Sequence, residues 1–329
     1  MHMENINNIS LSLLEKLSIS RCSSLTCIFL KGTFPASLKH LKIGNCSELM
    51  FLSPRDRLPE ALEELVIKKC PQLESIAERF HNNMSLKRIK FLFCENLKSI
   101  PTGLHNLIHL SHFSIFDCPS LVSFPEGGLP KTNLEYLYIC GCEKLRALPN
   151  HLHNIDSLQR LYICRCPSIT SFPQDLLGFS TNLTMLSIEG LNIYKPLVEW
   201  GLHNLTSLTS LTIVECPEAV SFPQEEIGMM LPPSLESLWI QNFPKLKYLF
   251  PKGFQNLTSL ESLVIFDCPN LTSFPEVGLP SSLVRLYIDS CPLLKKQCKK
   301  DKRREWSKIA HIPYVEIDSK FIYDPEEEE

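Results

Sequence analysis

The chain has no apolar run that approaches the roughly 20 residues needed to cross a lipid bilayer. Its start, MHMENINNISLSLLEKLSI, lacks a basic segment followed by an apolar core, so no secretory signal is predicted. The net charge is only −3, which gives no indication of a nucleic-acid partner. We therefore expect neither membrane nor nucleic acid as a partner, and reduced cysteines in the cytosol or nucleus.

Motifs of catalysis and cofactor binding are also missing. The sequence contains no G-x-x-x-x-G-K-[ST], G-x-G-x-x-G, H-E-x-x-H or G-x-S-x-G. Phosphate-binding loops, zinc protease helices and nucleophile elbows therefore have no support. Four histidines (His81, His105, His153 and His203) each precede an Asn in a recurring turn motif. We predict that the protein is not an enzyme and holds no cofactor or metal.

What the chain does contain is a repeat. The pattern L-x-x-L-x-I-x-x-C occurs in twelve registers, spaced 24 residues apart at first and 23 to 27 residues apart later. A period of this length with this apolar spacing is the signature of a leucine-rich repeat, which supplies one strand per unit. The registers begin at Leu14, Leu38, Leu62, Leu86, Leu110, Leu134, Leu158, Leu183, Leu208, Leu235, Leu260 and Leu283.

Strand alternation assigns a direction to each position of the repeat. The fourth and sixth residues, such as Leu211 and Ile213, point into the core, whereas the third, fifth and seventh point outward. The predicted fold is an α/β-type solenoid, a leucine-rich-repeat horseshoe. Its parallel concave sheet has about twelve short strands, and its convex returns are mostly irregular.

The ninth position carries a column of cysteines. Leu191 and Phe243 replace Cys in two units, so this position requires apolar volume rather than a metal ligand or a nucleophile. A Pro follows in six units and ends strand pairing. The predicted structural cysteines are Cys22, Cys46, Cys70, Cys94, Cys118, Cys142, Cys166, Cys216, Cys268 and Cys291.

Two C-x-C pairs stand apart from this column. Cys140 and Cys164 occupy the outward seventh position of adjacent units, whereas Cys142 and Cys166 belong to the inward column. Alternation therefore argues against a four-thiolate zinc site. We expect Cys140 and Cys164 to be two reduced neighbours, at a spacing that a disulfide can bridge.

The outward positions, with the bordering Phe93, supply the candidate partner-binding residues. The first four units are basic, the middle units are aromatic, and the last units form a separate, less basic patch with Glu189 and Asp289. Exposed aromatic side chains beside Arg are typical of protein-binding hot spots. The candidates are Lys42, Lys68, Arg88, Lys90, Leu92, Phe93, Phe116, Tyr136, Tyr138, Arg160, Tyr162, Trp239, Phe266, Arg285 and Tyr287.

Four segments are predicted along the chain. Residues 1–13 form an incomplete repeat or lack a cap, and residues 14–294 form the solenoid. Residues 295–323 are a basic and apolar cap, because a solenoid needs a polar end, and residues 324–329 are an acidic disordered tail. The apolar side of the cap consists of Trp306, Ile309, Ile312, Val315 and Ile317.

Three features carry a resemblance to a known family. They are the repeated SLxxLxIxxCPxLxSFP phrase, the GLHNL returns, and the ending CPLLKKQCKKDKRREWSKIAHIPYVEID. Together they resemble the C-terminal leucine-rich-repeat region of plant coiled-coil nucleotide-binding (NB-LRR) disease resistance proteins, over essentially the whole chain.

The resemblance implies an intracellular immune receptor. Its repeats would sense a pathogen effector, directly or through a guarded host protein, and would restrain a nucleotide-binding module that has no counterpart here. The alternatives are the substrate adaptor of an F-box ubiquitin ligase, a truncated receptor acting as a decoy, and an extracellular receptor ectodomain. The F-box adaptor would show a longer period and an F-box, and the ectodomain would show a signal peptide and paired capping cysteines.

Overall fold

The computed structural model of the chain describes residues 13–28, 34–52, 58–82, 84–169, 182–190, 201–224, 228–298 and 303–322. The chain forms two compact units, Met1–Leu176 and Leu177–Glu329. Leu191 and the predicted acidic tail lie outside the described residues, as does most of the predicted N-terminal segment.

The first unit contains one five-residue strand in each of the first seven repeats. Neighbouring strands pair in parallel, and each residue aligns with the residue at the same repeat position, as Lys16 does with His40. The strands are β1 (Lys16–Ser20), β2 (His40–Gly44), β3 (Glu64–Lys68), β4 (Arg88–Leu92), β5 (His112–Phe116), β6 (Tyr136–Cys140) and β7 (Arg160–Cys164).

The second unit continues the same arrangement in the later repeats. Its strands are β8 (Met185–Glu189), β9 (Ser210–Val214), β10 (Ser221–Phe222), β11 (Ser237–Gln241), β12 (Tyr248–Leu249), β13 (Ser262–Phe266), β14 (Arg285–Asp289), β15 (Tyr314–Ile317) and β16 (Lys320–Phe321). The main strands pair in parallel in the order β8, β9, β11, β13, β14 and β15, while β10 and β12 form a separate parallel pair.

Short helices occur in the returns and near the C-terminal end. Three 3-10 turns, Leu104–Asn106, Leu152–Asn154 and Leu202–Asn204, cover the H-N motifs of three returns. The α-helices are α1 (Pro251–Gln255), α2 (Pro292–Gln297) and α3 (Arg303–Ile309). The returns of the described residues are otherwise mostly irregular.

Burial follows the predicted alternation. Leu211 and Ile213 are buried in β9, while Ser210, Thr212 and Val214 remain partly exposed. The same pattern recurs in most strands, so each repeat contributes two apolar side chains to the apolar layer of its own unit. The predicted leucine-rich-repeat solenoid with a parallel sheet is therefore confirmed.

Each repeat strand ends at a residue in the left-handed conformation. All twelve residues at the eighth repeat position have φ between 47° and 65°, although only Gly141 and Gly190 are glycines. In this conformation the N–H still donates to the next strand, as Asn45 does to the Lys68 carbonyl at 2.9 Å. The sheet therefore gains one further rung while the chain turns out of it.

A tight turn around the ninth position follows at once. The amide of Leu73 donates to the Cys70 carbonyl at 3.2 Å, and the amide of Leu121 donates to that of Cys118 in the same way. Pro71 and Pro119 therefore occupy the second position of a four-residue turn, which their fixed φ favours. The Pro after the Cys thus helps to form the turn as well as ending the strand.

The cysteine column lies largely in the core. Cys22, in the first repeat, is partly exposed, while the other nine column cysteines are buried, as is Phe243. Several thiols also face the carbonyl two residues earlier, as Cys166 faces the Cys164 carbonyl at 3.2 Å. Each thiol thus behaves as a small apolar group with a weak donor.

The predicted cap segment contains a further strand that the repeat pattern does not reveal. β15 pairs in parallel with β14, and β16 pairs with β15 in antiparallel fashion. Ile309, Ile312, Val315 and Ile317 are buried, in agreement with the predicted apolar side, and Trp306 is partly buried. The limits assigned to the solenoid (14–294) and to the cap (295–323) stay predictions.

A buried ion pair attaches α3 to the preceding repeat. Glu305 accepts hydrogen bonds from the Phe274 amide and from Lys308 Nζ, both at 2.8 Å. Lys308 Nζ also donates to the Phe274 carbonyl at 3.0 Å. The two side chains are at least nine-tenths buried, so each charge depends on the other and on this backbone group.

We predict that Asn45→Val lowers the free energy of unfolding by about 1–2 kcal/mol, because a branched side chain is disfavoured in the left-handed region. Asn45→Gly should cost nothing, because glycine adopts this conformation freely. Ser18→Val, at an exposed strand position, is the matched control. Urea unfolding measures all three, and equal losses from the two Val variants would contradict the explanation.

We predict that Glu305→Ala destabilises the chain by about 3–5 kcal/mol, because Lys308 is left as an uncompensated buried charge. The double variant Glu305→Ala with Lys308→Met should recover part of that loss. A double-mutant cycle measured by thermal unfolding tests the coupling. Additive losses would show that the pair does not act as a unit.

Candidate protein-interaction surface

The basic patch consists of Lys16, His40, Lys42, Lys68, Arg88 and Lys90, with Glu64 among them. These residues lie at the third, fifth and seventh positions of the first four repeats, in β1 to β4, on the side of the sheet opposite to the buried apolar residues. Glu64 contacts Lys42 Nζ at 2.9 Å, Arg88 Nη1 at 3.3 Å and His40 Nδ1 at 3.5 Å. One carboxylate thus faces three basic side chains.

The environment of Glu64 sets its charge. Partial burial raises the pKa of its carboxyl, but hydrogen bonds from Lys42, Arg88 and His40 outweigh this effect and lower the pKa overall. Among the described residues, no carboxylate pairs with Lys68, Lys90 or Arg160. The first unit therefore presents cations that are available to an acidic partner.

The aromatic patch lies on the same side of the first unit and consists of Phe93, Phe116, Tyr136, Tyr138 and Tyr162. Its rings contact one another in sequence, with Phe93 and Phe116 centroids 5.0 Å apart and those of Phe116 and Tyr138 6.0 Å apart. Tyr162 lies 5.4 Å from Tyr136 and 5.7 Å from Tyr138. These contacts form one continuous surface across β4 to β7.

Residues around the aromatic patch were not all foreseen. His112 stacks on Tyr136 with centroids 5.8 Å apart, and burial, assisted by nearby cations such as Arg88, lowers its pKa. Lys69 Nζ lies 5.8 Å above the Phe93 ring. His112 was missed as a site residue, although it occupies the outward third position of its repeat. Lys69 occupies the eighth position, and it reaches the surface only because the backbone there is left-handed.

Arg165 joins several groups at the edge of the aromatic patch. Its Nη2 atom lies 3.3 Å from Asp117 Oδ1, and its Cζ atom lies 5.5 Å from the Phe116 centroid. The same Nη2 atom lies 3.5 Å from Cys140 Sγ. The guanidinium therefore fixes an ion pair, an aromatic contact and a sulfur contact at one place.

The structure corrects the expectation for Cys140 and Cys164. The two residues align on β6 and β7 with Cα atoms 4.5 Å apart and are joined by a disulfide, so the prediction of two reduced neighbours is wrong. They lie on the predicted side of the sheet but are only 1% and 9% exposed. Alternation gives the direction of a side chain, whereas Arg165 and the neighbouring rings determine whether it is covered.

The second unit presents a separate patch with a different charge. Trp239 is 40% exposed, and its Nε1 donates to Gln241 Oε1 at 3.0 Å. Phe266 and Tyr287 are partly exposed on β13 and β14. Arg285 is the cation at the outward positions of β8, β9, β11, β13 and β14, against Glu189 and Asp289. This patch is apolar and weakly acidic rather than basic.

The structure thus places the candidate residues in two separate groups. The candidates of the first unit lie on the exposed face of the sheet, along β2 to β7. The remaining four lie in the second unit. Leu92 is partly exposed beside Phe93, and Arg160 borders Tyr162. Their role in partner binding stays a prediction.

Among the described residues there is neither a membrane-spanning helix nor a cluster of metal ligands. No described helix is both long and apolar enough to cross a membrane. Across the same residues, no three His, Cys, Asp or Glu side chains converge in a way that suits a metal ion.

The sequence is similar to part of a longer plant protein. No protein-family model matches the sequence. A protein of Arabidopsis thaliana named as a disease resistance protein is 33% identical over 145 residues, which cover 44% of this chain. The chain spans only about a tenth of that relative's length, since the match covers 10% of it. The similarity therefore concerns a short segment of a much longer protein.

Solved structures of low similarity include other leucine-rich proteins. The effector YopM of Yersinia pestis is 18% identical with a TM-score of 0.42, over 83% of this chain and 76% of YopM. YopM of Yersinia enterocolitica is 20% identical with a TM-score of 0.36, over 85% and 68% of the two chains. The fold of the present chain follows from its own repeat and strand pairing.

We predict that Glu64→Gln increases the affinity of the first unit for an acidic probe, labelled poly-glutamate, by up to about fivefold. Removal of this carboxylate releases Lys42 and Arg88, and an exposed charge of this kind contributes about 0.2–1 kcal/mol. Fluorescence polarisation at two salt concentrations measures the change. The control, Glu74→Gln, removes a carboxylate whose partner Lys98 lies outside the strands, and an equal effect there would contradict the prediction.

Proposed function

We propose that this chain is the protein-recognition domain of an intracellular plant immune receptor of the coiled-coil nucleotide-binding kind. In this proposal it senses a pathogen effector, directly or through a guarded host protein, and restrains a nucleotide-binding module absent from this chain. It works in the cytosol or the nucleus. The sequence similarity to a disease resistance protein and the leucine-rich-repeat fold support the proposal.

The observation that carries the proposal is the pairing of two chemically distinct patches on one exposed face. Within the basic patch, Lys68 and Lys90 have no acidic partner among the described residues, and such cations attract an acidic protein surface from a distance. The adjoining aromatic patch offers rigid, partly exposed rings beside Arg160 and Arg165, which is the composition of binding hot spots. Both are properties of a surface that recognises proteins.

The two patches suit the two tasks in the proposal. Restraint of a resident module needs a contact that forms quickly and can be released, which long-range charge attraction provides. Discrimination of one effector from another needs well-packed anchors, which the aromatic patch and the second-unit residues Trp239, Phe266 and Tyr287 provide. We therefore assign restraint to the basic patch and recognition to the aromatic surfaces.

We predict that replacement of Lys68, Arg88 and Lys90 by Glu weakens retention of the nucleotide-binding module of a plant coiled-coil receptor at least about tenfold, which corresponds to about 1.4 kcal/mol. The test is co-purification of that module with the native chain and with the variant. The control replaces Lys98, Lys131 and Lys144, exposed cations outside the strands, by Glu.

The outcomes are distinct. Retention by the native chain and the control but not by the variant supports the restraint role. Retention of the module by all three proteins would contradict the proposal that the basic patch contacts the module. If the folded native chain retains no module, the receptor proposal loses its main support and the adaptor alternative gains it.

A further inference from the structure

Cys140 and Cys164 differ from the other described cysteines in their position. They occupy the seventh repeat position on the exposed side of the sheet, whereas the column cysteines occupy the ninth position in the core. Cys164 keeps 9% of its surface exposed, and its Sγ lies 3.8 Å from Tyr138 Oη. A small oxidant can therefore reach a sulfur here more readily than at the nine buried cysteines of the column.

The backbone holds the two sulfurs together in either redox state. β6 and β7 are in parallel register from Tyr136 and Arg160 to Cys140 and Cys164, and Gly141 N–H donates to the Cys164 carbonyl at 3.0 Å. The Cα atoms lie 4.5 Å apart because adjacent strands place them there. Making or breaking the sulfur–sulfur bond therefore requires no strand movement.

The charge next to the pair favours its chemistry. Arg165 Nη2 lies 3.5 Å from Cys140 Sγ, and a nearby guanidinium stabilises the thiolate, the form of cysteine that reacts. The core column provides a contrast, because burial raises the pKa of the Cys46 thiol and raises that of Cys70 to about 12. The column pair Cys46 and Cys70 has the same 24-residue separation without the cation or the exposure.

We propose that Cys140 and Cys164 form a reversible oxidation site, a dithiol that hydrogen peroxide converts to a disulfide and that a dithiol reductant restores. This chemistry does not depend on the proposed immune function. The site lies against Tyr138 and against Arg165, which contacts Phe116, so its redox state is coupled to the aromatic patch.

The reaction balances in two steps. The Cys164 thiolate, the more accessible of the two, attacks one peroxide oxygen, the O–O bond breaks, and the departing hydroxide takes a proton to give water and a sulfenic acid. The Cys140 thiolate, beside Arg165, then attacks the Cys164 sulfur, the S–S bond forms, and hydroxide leaves and is protonated to a second water. Two thiols are oxidised by two electrons, and one peroxide is reduced.

The test uses the folded full chain, reduced with dithiothreitol and freed of it. After exposure to hydrogen peroxide and denaturation, N-ethylmaleimide labels the remaining thiols, and the mass of the intact chain gives their number. The expected result is fourteen labels before oxidation and the loss of two of them afterwards. Peptide mapping should locate the link at Cys140 and Cys164, and fresh dithiothreitol should restore both labels.

Matched variants make the outcome decisive. Cys164→Ser should abolish the loss of two labels, whereas Cys46→Ser should leave the Cys140–Cys164 link intact. Arg165→Gln should slow formation of the disulfide several-fold, and an unchanged rate would remove the role assigned to this residue. The proposal is overturned if no link forms between Cys140 and Cys164, if Cys46 and Cys70 link as readily, or if the link in the folded chain resists dithiothreitol.

Discussion

The structure depends on one repeated event, the exit of the chain from the sheet at the eighth and ninth positions of each unit. A left-handed residue donates its amide to the next strand, and the side chain after it enters the core. This event fixes the register of each strand, because the residues before it must then alternate between the core and the exposed face. The basic and aromatic patches are consequences of that register, since all their residues except Phe93 occupy its outward positions.

Much of the fold could be predicted from the sequence because the repeat is close to regular. The 24-residue period and the spacing of Leu and Ile were sufficient to locate the strands and their buried faces. The left-handed eighth position could not be predicted, because Arg21, Lys69, Phe93 and Arg165 are not residues that favour positive φ. β15 was also missed, because its segment lacks the opening Leu and the closing Cys of the repeat.

The candidate site was predictable only in part. Register alone showed which side chains face outward, and it brought Tyr136, Tyr138 and Tyr162 to one surface. Register did not show that the Glu64 carboxylate would contact several cations at once. It also did not show that Arg165 and its neighbours would cover Cys140. Both effects depend on where long flexible side chains rest across neighbouring strands, and the pattern of a single repeat carries no such information.

The two-residue strand β16 has a consequence for assembly. β15 would otherwise present free amides and carbonyls to any strand from another molecule. Because Lys320 and Phe321 run antiparallel along it, a strand with the direction of the repeats cannot add there unless β16 is displaced. The sheet of the second unit is thereby shielded at β15 from the addition of another parallel strand.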